Sequence, residues 1–236
     1  MEHTPNIRIF GLQKLSLLDF PGRVACTVFL GGCDFRCPFC HNFELVDGTA
    51  SPVMDAEELL AFLSGRRGLL DAVAVTGGEP CLQPALPELL RAFREMGYAV
   101  KLDTNGYHPA LLRQVLEEGL ADYVAMDIKN SPAKYAQTVG LPALDLAPIH
   151  ESVALLKEGR VPYEFRTTVV RELHEEADFH AIAGWIRGAQ RYFLQPFQDR
   201  DTVPFAGFHA PDAAQLAAWL AVVSPWVGEA RIRGAD

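Results

Sequence analysis

Short apolar runs alternate with amphipathic segments along most of this chain. The runs are rich in β-branched residues and continuous rather than alternating, which is typical of parallel strands covered by helices. They predict strands over residues 24–30, 72–76, 99–103, 123–128, 163–170 and 191–196. The amphipathic segments predict helices near residues 55–64, 84–96, 109–118, 149–157, 175–186 and 211–223.

The strand–helix alternation indicates right-handed βαβ units and therefore an α/β fold. A barrel, a partial barrel and a doubly wound sheet all satisfy this alternation. The chain has 236 residues, 49% of them apolar and 22% charged, which suits one α/β domain over residues 1–236. The C-terminal segment VGEARIRGAD either adds a last strand or covers one edge of the barrel.

Polar or glycine-rich clusters stand just past the ends of four predicted strands. They are the cysteine loop after Leu30, TGGEP after Val75, DTNG after Leu102 and DIK after Met126. In open and closed α/β folds alike, ligand sites form at the carboxyl edge of the strands. We therefore expect these four clusters to converge on one site.

Charge and apolar patterning exclude several classes of function. The 21 basic and 30 acidic residues give a net charge of −9, which argues against a broad surface for nucleic acid or anionic membrane. The N-terminus shows no signal sequence, and the longest apolar stretch, residues 216–223, is far too short to cross a bilayer. The sequence predicts a cytoplasmic protein with no membrane partner.

Three of the five cysteines, Cys33, Cys37 and Cys40, lie within eight residues at C-x3-C-x2-C spacing. This crowding indicates a metal site in a reducing compartment rather than a disulfide framework. Complete thiolate sites usually have four ligands, so an iron–sulfur cluster held here would keep one iron open. Cys26 is a poor fourth ligand and fits a buried thiol, whereas Cys81 is harder to exclude. A zinc site that adds His41 is the alternative.

The C-x3-C-x2-C loop after a strand, with Phe39 before the last cysteine, resembles the radical S-adenosylmethionine superfamily. The resemblance implies a partial (βα)6 TIM-like barrel and one 4Fe–4S cluster with three cysteine ligands. It also implies that the open iron binds S-adenosylmethionine and that Phe39 contacts this cofactor. TGGEP resembles the segment that binds the methionyl end in that family, which implies cofactor contacts for Gly77, Gly78 and Glu79. Glu79 could instead hold its loop.

DTNG and MDIK resemble segments of the enzymes that activate glycyl-radical proteins. The resemblance implies a monovalent cation held by Asp103, Thr104 and Asp127, whose hard oxygen donors suit such an ion. It places Asp127 and Lys129 near S-adenosylmethionine and His41 near its adenine. Arg166 lies inside a predicted strand, where it either contacts the cofactor or is paired structurally.

LSLLDFPGRVACTVFLGGCDFRCPFCHN reads like the N-terminal part of activators of pyruvate formate-lyase and anaerobic ribonucleotide reductase. The likeness is greatest to anaerobic ribonucleoside-triphosphate reductase activating proteins. It implies an oxidoreductase that cleaves S-adenosylmethionine reductively and takes a glycine Cα hydrogen from that reductase through a 5′-deoxyadenosyl radical. The remaining cysteines cannot form a second cluster, so a flavodoxin or ferredoxin is the expected electron donor.

Three alternatives stay open at this stage. The chain could activate another glycyl-radical enzyme of the pyruvate formate-lyase type, but Gln198 stands where those activators have a histidine. Gln198 is thereby an uncertain cofactor contact. The chain could act on a small molecule, as 7-carboxy-7-deazaguanine synthase does. A non-enzymatic zinc or electron-transfer protein would leave GGEP, DTNG and DIK without a role.

Overall fold

A computed structural model describes residues 5–234, and its centre is a single twisted sheet. The strands are β1 (Arg8–Ser16), β2 (Ala25–Leu30), β3 (Met54–Asp55), β4 (Ala72–Gly77), β5 (Ala99–Thr104), β6 (Tyr123–Asp127), β7 (Tyr163–Val169), β8 (Arg191–Pro196) and β9 (Glu229–Ile232). Their order is β3-β1-β2-β4-β5-β6-β7-β8-β9. The strands from β2 to β9 in this order are parallel, whereas β1 pairs antiparallel with β2 and β3. Within the described residues β3 and β9 are the two free edges, as a partial barrel requires.

Helices connect the parallel strands. They are α1 (Phe43–Asp47), α2 (Ala56–Ser64), α3 (Leu86–Glu95), α4 (Pro109–Glu117), α5 (Tyr135–Thr138), α6 (Ala147–Lys157), α7 (Glu176–Trp185) and α8 (Ala213–Val223). Capping boxes begin three of them; at α2, Asp55 accepts from the Glu58 N–H and Glu58 accepts from the Asp55 N–H. Prolines occupy the first turn of α3 and α4, where a missing N–H costs nothing.

The predicted α/β fold is confirmed. The six predicted strands correspond to β2 and β4 to β8, and the six predicted helices to α2, α3, α4, α6, α7 and α8. The antiparallel strands β1 and β3 and the short helices α1 and α5 were not predicted. The prediction that the N-terminus carries no signal sequence concerns in part residues 1–4, which lie outside the described residues. Within residues 5–234, no helix has the length and apolar character needed to cross a membrane.

The two faces of the sheet differ in residue size. The outward face carries large apolar side chains such as Val28, Val75 and Leu102, which pack in the main core with the helices. Away from the carboxyl ends of the strands, the inward face carries mainly alanines. These alanines form a separate small cluster with Phe20 and Tyr123. Small inward side chains leave room inside the barrel for longer charged ones.

The C-terminal segment contributes to the fold in two ways. Strand β9 pairs in parallel with β8, which decides between the two predicted roles of this segment in favour of a last strand. Just beyond it, Arg233 donates two hydrogen bonds to the fully buried Glu164, at 2.6 and 2.9 Å. The Tyr123 hydroxyl donates a third, at 2.6 Å. Burial by itself would raise the pKa of Glu164, but the Arg233 and Tyr123 hydrogen bonds hold that pKa below its usual value.

Candidate functional site

An open cleft with a cavity volume of about 190 Å³ lies at the carboxyl ends of β2, β4, β5, β6 and β7. The four polar clusters that follow the strands converge here, as the sequence predicts. The predicted site residues that line the cleft are Cys33, Cys37, Phe39, Cys40, His41, Gly77, Gly78, Asp103, Thr104, Asp127, Lys129 and Arg166. Glu79 does not line it.

Backbone contacts hold the cysteine loop against the rest of the fold. The Gly32 N–H donates to the Leu45 carbonyl in α1, and the Arg36 N–H donates to the Val139 carbonyl, both at 2.8 Å. The Arg36 guanidinium turns back onto the carbonyls of Cys33 and Phe35, at 2.6 and 2.9 Å. These contacts fix the path of the loop while its three thiols stay on the wall of the cleft.

The thiols fit an iron–sulfur cluster with one open iron. Burial raises the pKa of Cys33 to about 11 and that of Cys37 to about 12, so the thiolates need a bound metal to be stable. Cys26 packs in the main core, on the outward face of β2, and Cys81 is buried away from the cleft. Within the described residues, therefore, a fourth cysteine does not reach the cleft.

The zinc alternative finds little support in the geometry. Among residues 5–234, no three His, Cys, Asp or Glu side chains are arranged to hold a single metal ion. His41 is also engaged elsewhere, since its ring stacks on Phe197 at 5.6 Å between centroids. Its Nε2 lies 2.6 Å from the Gln198 carbonyl oxygen. His41 still lines the cleft, on the side where the resemblance places the adenine.

Gly77 and Gly78 are needed because two backbones approach each other closely. Gly77 has φ of +125°, and a Cβ there would lie 2.2 Å from the Leu30 carbonyl oxygen. A Cβ on Gly78 would lie 2.0 Å from the Gly32 carbonyl oxygen. The Gly78 N–H donates to the Leu30 carbonyl at 2.9 Å. These glycines therefore bring the TGGEP loop into contact with the cysteine loop.

Glu79 holds the loops under the cleft together. Its side chain is fully buried, and one carboxylate oxygen accepts from the Cys81 N–H at 2.9 Å and the Thr104 hydroxyl at 2.7 Å. The other oxygen accepts from the Asn105 N–H at 2.6 Å. Burial raises the pKa of Glu79, and these donors oppose the rise. This placement corresponds to the predicted loop-holding alternative, and the cofactor contact of Glu79 stays a prediction.

A network of charged side chains forms the floor of the cleft. Arg166 donates to Asp127 at 2.5 Å and to Asp103 at 3.0 Å, so it joins β5, β6 and β7. Lys129 donates to the other Asp127 oxygen at 2.7 Å, and Lys101 to the other Asp103 oxygen. Burial would raise the pKa of Asp127, but Arg166 and Lys129 hold that pKa well below its usual range. Arg166 both lines the cleft and is structurally paired, so its two predicted roles coexist.

The predicted monovalent-cation residues do not fit a cation in this arrangement. All four carboxylate oxygens of Asp103 and Asp127 already accept from lysine or arginine. The Thr104 hydroxyl donates to Glu79 and accepts from the Gly106 N–H at 3.0 Å. Three cationic side chains face two carboxylates, so the network has a net charge of about +1, which opposes a further cation. The cation remains a prediction without a suitable site in the described residues.

Gln198 does not line the cleft with its side chain. Its side chain is exposed and accepts from the Arg200 guanidinium at 2.6 Å, outside the cleft. Only its backbone carbonyl approaches the site, through the contact with His41. Strand β8 ends at Pro196, and Gln198 lies in the irregular segment that follows, where its side chain is exposed. The position of Gln198 in the sequence could not predict this exposure.

Six residues that line the cleft were not predicted as site residues, among them Asn105 and Thr168. Asn105 places its side-chain nitrogen 3.8 Å from the Cys33 sulfur, a contact of the kind that tunes iron–sulfur potentials. Thr168 lines the cleft two residues after Arg166. The two-residue period of a strand puts Thr168 on the same face as Arg166, so alternation along β7 was the available signal.

The residues that line the cleft lie within a segment that matches a known protein family. The model of the Radical SAM superfamily matches residues 27–184, which include the cysteine loop and all the strand-end clusters up to Arg166. A protein of Methanocaldococcus jannaschii, named provisionally as a glycyl-radical enzyme activating enzyme, is 34% identical over 200 residues. The match covers 82% of this chain and 81% of that protein.

Two further relatives extend the comparison. The 7-carboxy-7-deazaguanine synthase of Thermococcus kodakarensis is 29% identical over 195 residues, 74% of this chain and 75% of that protein. The crystal structure of Streptococcus suis SuiB bound to S-adenosylmethionine superimposes with a TM-score of 0.66. That match covers 86% of this chain and 48% of SuiB at 13% identity, so it supports the fold alone.

Proposed function

The chain belongs to the radical SAM superfamily, and from this premise we propose that it is the activase of an anaerobic ribonucleoside-triphosphate reductase. Enzymes of this superfamily use one 4Fe–4S cluster and S-adenosylmethionine. The observation that carries the proposal is the convergence of three thiols, a glycine-rich loop and a charged floor on one open cleft. The provisional activating-enzyme relative, matched over 81% of its length, supports the activase class.

Each group of residues has a proposed role in the cleft. Cys33, Cys37 and Cys40 would hold the cluster. When bound there, the cluster and S-adenosylmethionine would together supply the one-electron chemistry that removes a hydrogen atom from the client glycine. The charged floor offers Arg166 and Lys129 to the methionyl carboxylate, and its acidic partners keep both side chains extended into the cleft.

The carbonyls of the TGGEP loop are the proposed acceptors for the methionyl ammonium. The Gly77 carbonyl accepts from the Asn42 side chain at 3.3 Å, which fixes its direction at the cleft wall. Phe39 and His41 supply flat surfaces for the adenine. The cleft is open at the carboxyl edge, so a peptide segment that carries the client glycine can enter beside the cofactor. A flavodoxin or ferredoxin is the proposed electron donor.

An anaerobic EPR experiment tests the proposal. Reconstituted protein, S-adenosylmethionine, a chemical reductant and an anaerobic ribonucleoside-triphosphate reductase are mixed, and 5′-deoxyadenosine is quantified in the same samples. We expect a carbon-centred doublet whose main splitting collapses when the reductase carries Cα-deuterated glycine. The Cys37→Ala variant is the control and should give neither the doublet nor 5′-deoxyadenosine. Production of 5′-deoxyadenosine without a doublet would reject this client.

The similarity to 7-carboxy-7-deazaguanine synthase favours a second candidate, a radical enzyme with a small-molecule substrate. The two candidates differ in what stimulates 5′-deoxyadenosine formation. An activase responds to a glycyl-radical protein, with about one equivalent formed per glycine site. A small-molecule enzyme responds to its substrate with many turnovers and shows a requirement for Mg²⁺. The same assay with the substrate of 7-carboxy-7-deazaguanine synthase in place of the reductase separates them.

A further inference from the structure

We infer that the Lys101 ammonium takes the place of a monovalent cation in this site, so that binding of S-adenosylmethionine needs no bound Na⁺ or K⁺. The inference rests on the proposed function only in placing S-adenosylmethionine in the cleft. It concerns Asp103, the carboxylate that the family resemblance assigns to a cation. In this chain that carboxylate already has an internal cationic partner.

Lys101 is buried in the barrel interior directly below Asp103. Its side chain is 3% exposed, and it lies two residues before Asp103 in β5, on the same face of the strand. In the sheet register, Lys101 stands between Ala74 of β4 and Tyr123 of β6. The small Ala74 leaves the space that the lysine side chain occupies. Lys101 does not line the cleft, so it reaches Asp103 from beneath.

With the Lys101 ammonium in place, every carboxylate oxygen of Asp103 and Asp127 has a cationic hydrogen-bond partner. Lys101 bonds one Asp103 oxygen, and Arg166 bonds the other. Arg166 and Lys129 occupy the two oxygens of Asp127 in the same way. A bound ion needs several oxygen ligands directed at one point, and here each of those oxygens already faces a nitrogen donor.

Charge leads to the same conclusion as coordination. Lys101, Lys129 and Arg166 outnumber Asp103 and Asp127 by one positive charge, in side chains at most 23% exposed. Without Lys101 the network would be neutral, and one Asp103 oxygen would lose its partner. A Na⁺ or K⁺ at that oxygen would then restore the original charge. Lys101 is thus a positioning residue that acts on the cofactor site through Asp103.

Affinity for S-adenosylmethionine, measured by anaerobic calorimetry on the reconstituted protein, tests the inference. Chloride salts of K⁺, Na⁺ and tetramethylammonium are compared at equal ionic strength. For the native protein we expect dissociation constants within about twofold of one another in the three salts. For Lys101→Ala, which leaves room for an ion, we expect affinity about tenfold weaker in tetramethylammonium and recovered in K⁺ or Na⁺.

Two control variants separate charge from packing. Lys101→Met fills the volume without the charge, so it should weaken binding without recovery in K⁺ or Na⁺. Lys157→Ala removes an exposed lysine in α6 and should behave as the native protein does. A native protein whose affinity falls about tenfold on removing Na⁺ and K⁺ would overturn the inference, whether or not the variants fold.

A second measurement keeps the inference separate from the proposed function. Urea midpoints of the cluster-free native protein should be the same in K⁺ and in tetramethylammonium, whereas that of Lys101→Ala should rise in K⁺. If the native midpoint rises in K⁺ relative to tetramethylammonium, the inference fails. Loss of S-adenosylmethionine binding in every salt would instead reject the proposed cofactor site, and the midpoints would still decide the role of Lys101.

Discussion

Replacement of Glu79 by glutamine distinguishes a residue that holds the loops from one that binds the cofactor. The buried carboxylate accepts from Cys81, Thr104 and Asn105. A glutamine of the same shape can direct its carbonyl oxygen at the first two donors, but its NH₂ group then faces the Asn105 N–H. One hydrogen bond to a charged acceptor is lost, and a buried donor is left without a partner.

The size of the effect follows from these contacts. A hydrogen bond to a charged group contributes about 1.5–3 kcal/mol, and a buried unsatisfied donor costs a similar amount. Relief from burying a charge offsets part of this loss. We therefore expect Glu79→Gln to lower the free energy of unfolding by about 2–4 kcal/mol. Because Asn105 also contacts the Cys33 sulfur, the change should disturb the cysteine loop as well.

Urea unfolding of the reduced, cluster-free protein, followed by circular dichroism, measures the effect without any cofactor. The matched control is Glu95→Gln, an exposed glutamate in α3, which should stay within about 0.5 kcal/mol of the native protein. If Glu79→Gln leaves the unfolding free energy unchanged but weakens S-adenosylmethionine binding, the loop-holding role is refuted and the carboxylate contacts the cofactor directly.

Three further changes test other parts of the molecule. Cys37→Ala should abolish the iron–sulfur absorbance of reconstituted protein and all cleavage of S-adenosylmethionine; a variant that still cleaves it would contradict the ligand assignment. Arg233→Met should destabilise the fold by about 2–3 kcal/mol at pH 7, because it leaves the buried Glu164 carboxylate without its cation. The depressed pKa of Glu164 gives stability that is present above about pH 4.3 and lost as the pH falls through the folded value, so this difference should shrink in acid. A pH-independent difference in unfolding curves would point to packing instead. Gly184→Ala should stabilise α7 by about 0.5–1 kcal/mol, since an added Cβ meets nothing within 4 Å; a lower melting temperature would show that the open space is not available.

The main elements of the fold could be predicted because each is specified by its own residues. The buried strands β4 and β6 consist mainly of continuous apolar runs, which are recognisable without knowledge of any partner. Strand β1 could not be recognised in this way. Its burial is mixed, and its strand conformation depends on antiparallel pairing with β2. The four- and five-residue helices α5 and α1 are too short to show a helical period.

The cleft was predictable for a related reason. Parallel strands end at one edge, so side chains that follow different strands must meet there even when they are far apart in the chain. This rule predicts from the sequence that the cysteine loop, TGGEP, DTNG and DIK meet at one edge of the sheet. The cysteine spacing then identified the chemistry, because thiolate ligands on one loop constrain a cluster locally.

The sequence by itself therefore determined the α/β architecture, the edge that carries the site and the residues that gather there. Only the tertiary structure decided what each of those side chains contacts. Glu79 lies under the cleft because donors from its own loop and from the DTNG segment surround it, and the Gln198 side chain is exposed where the chain leaves the sheet after β8. Lys101 reaches Asp103 because the register of β5 places a small alanine beside it. Such contacts depend on distances between strands, and a linear pattern of residue types does not contain those distances.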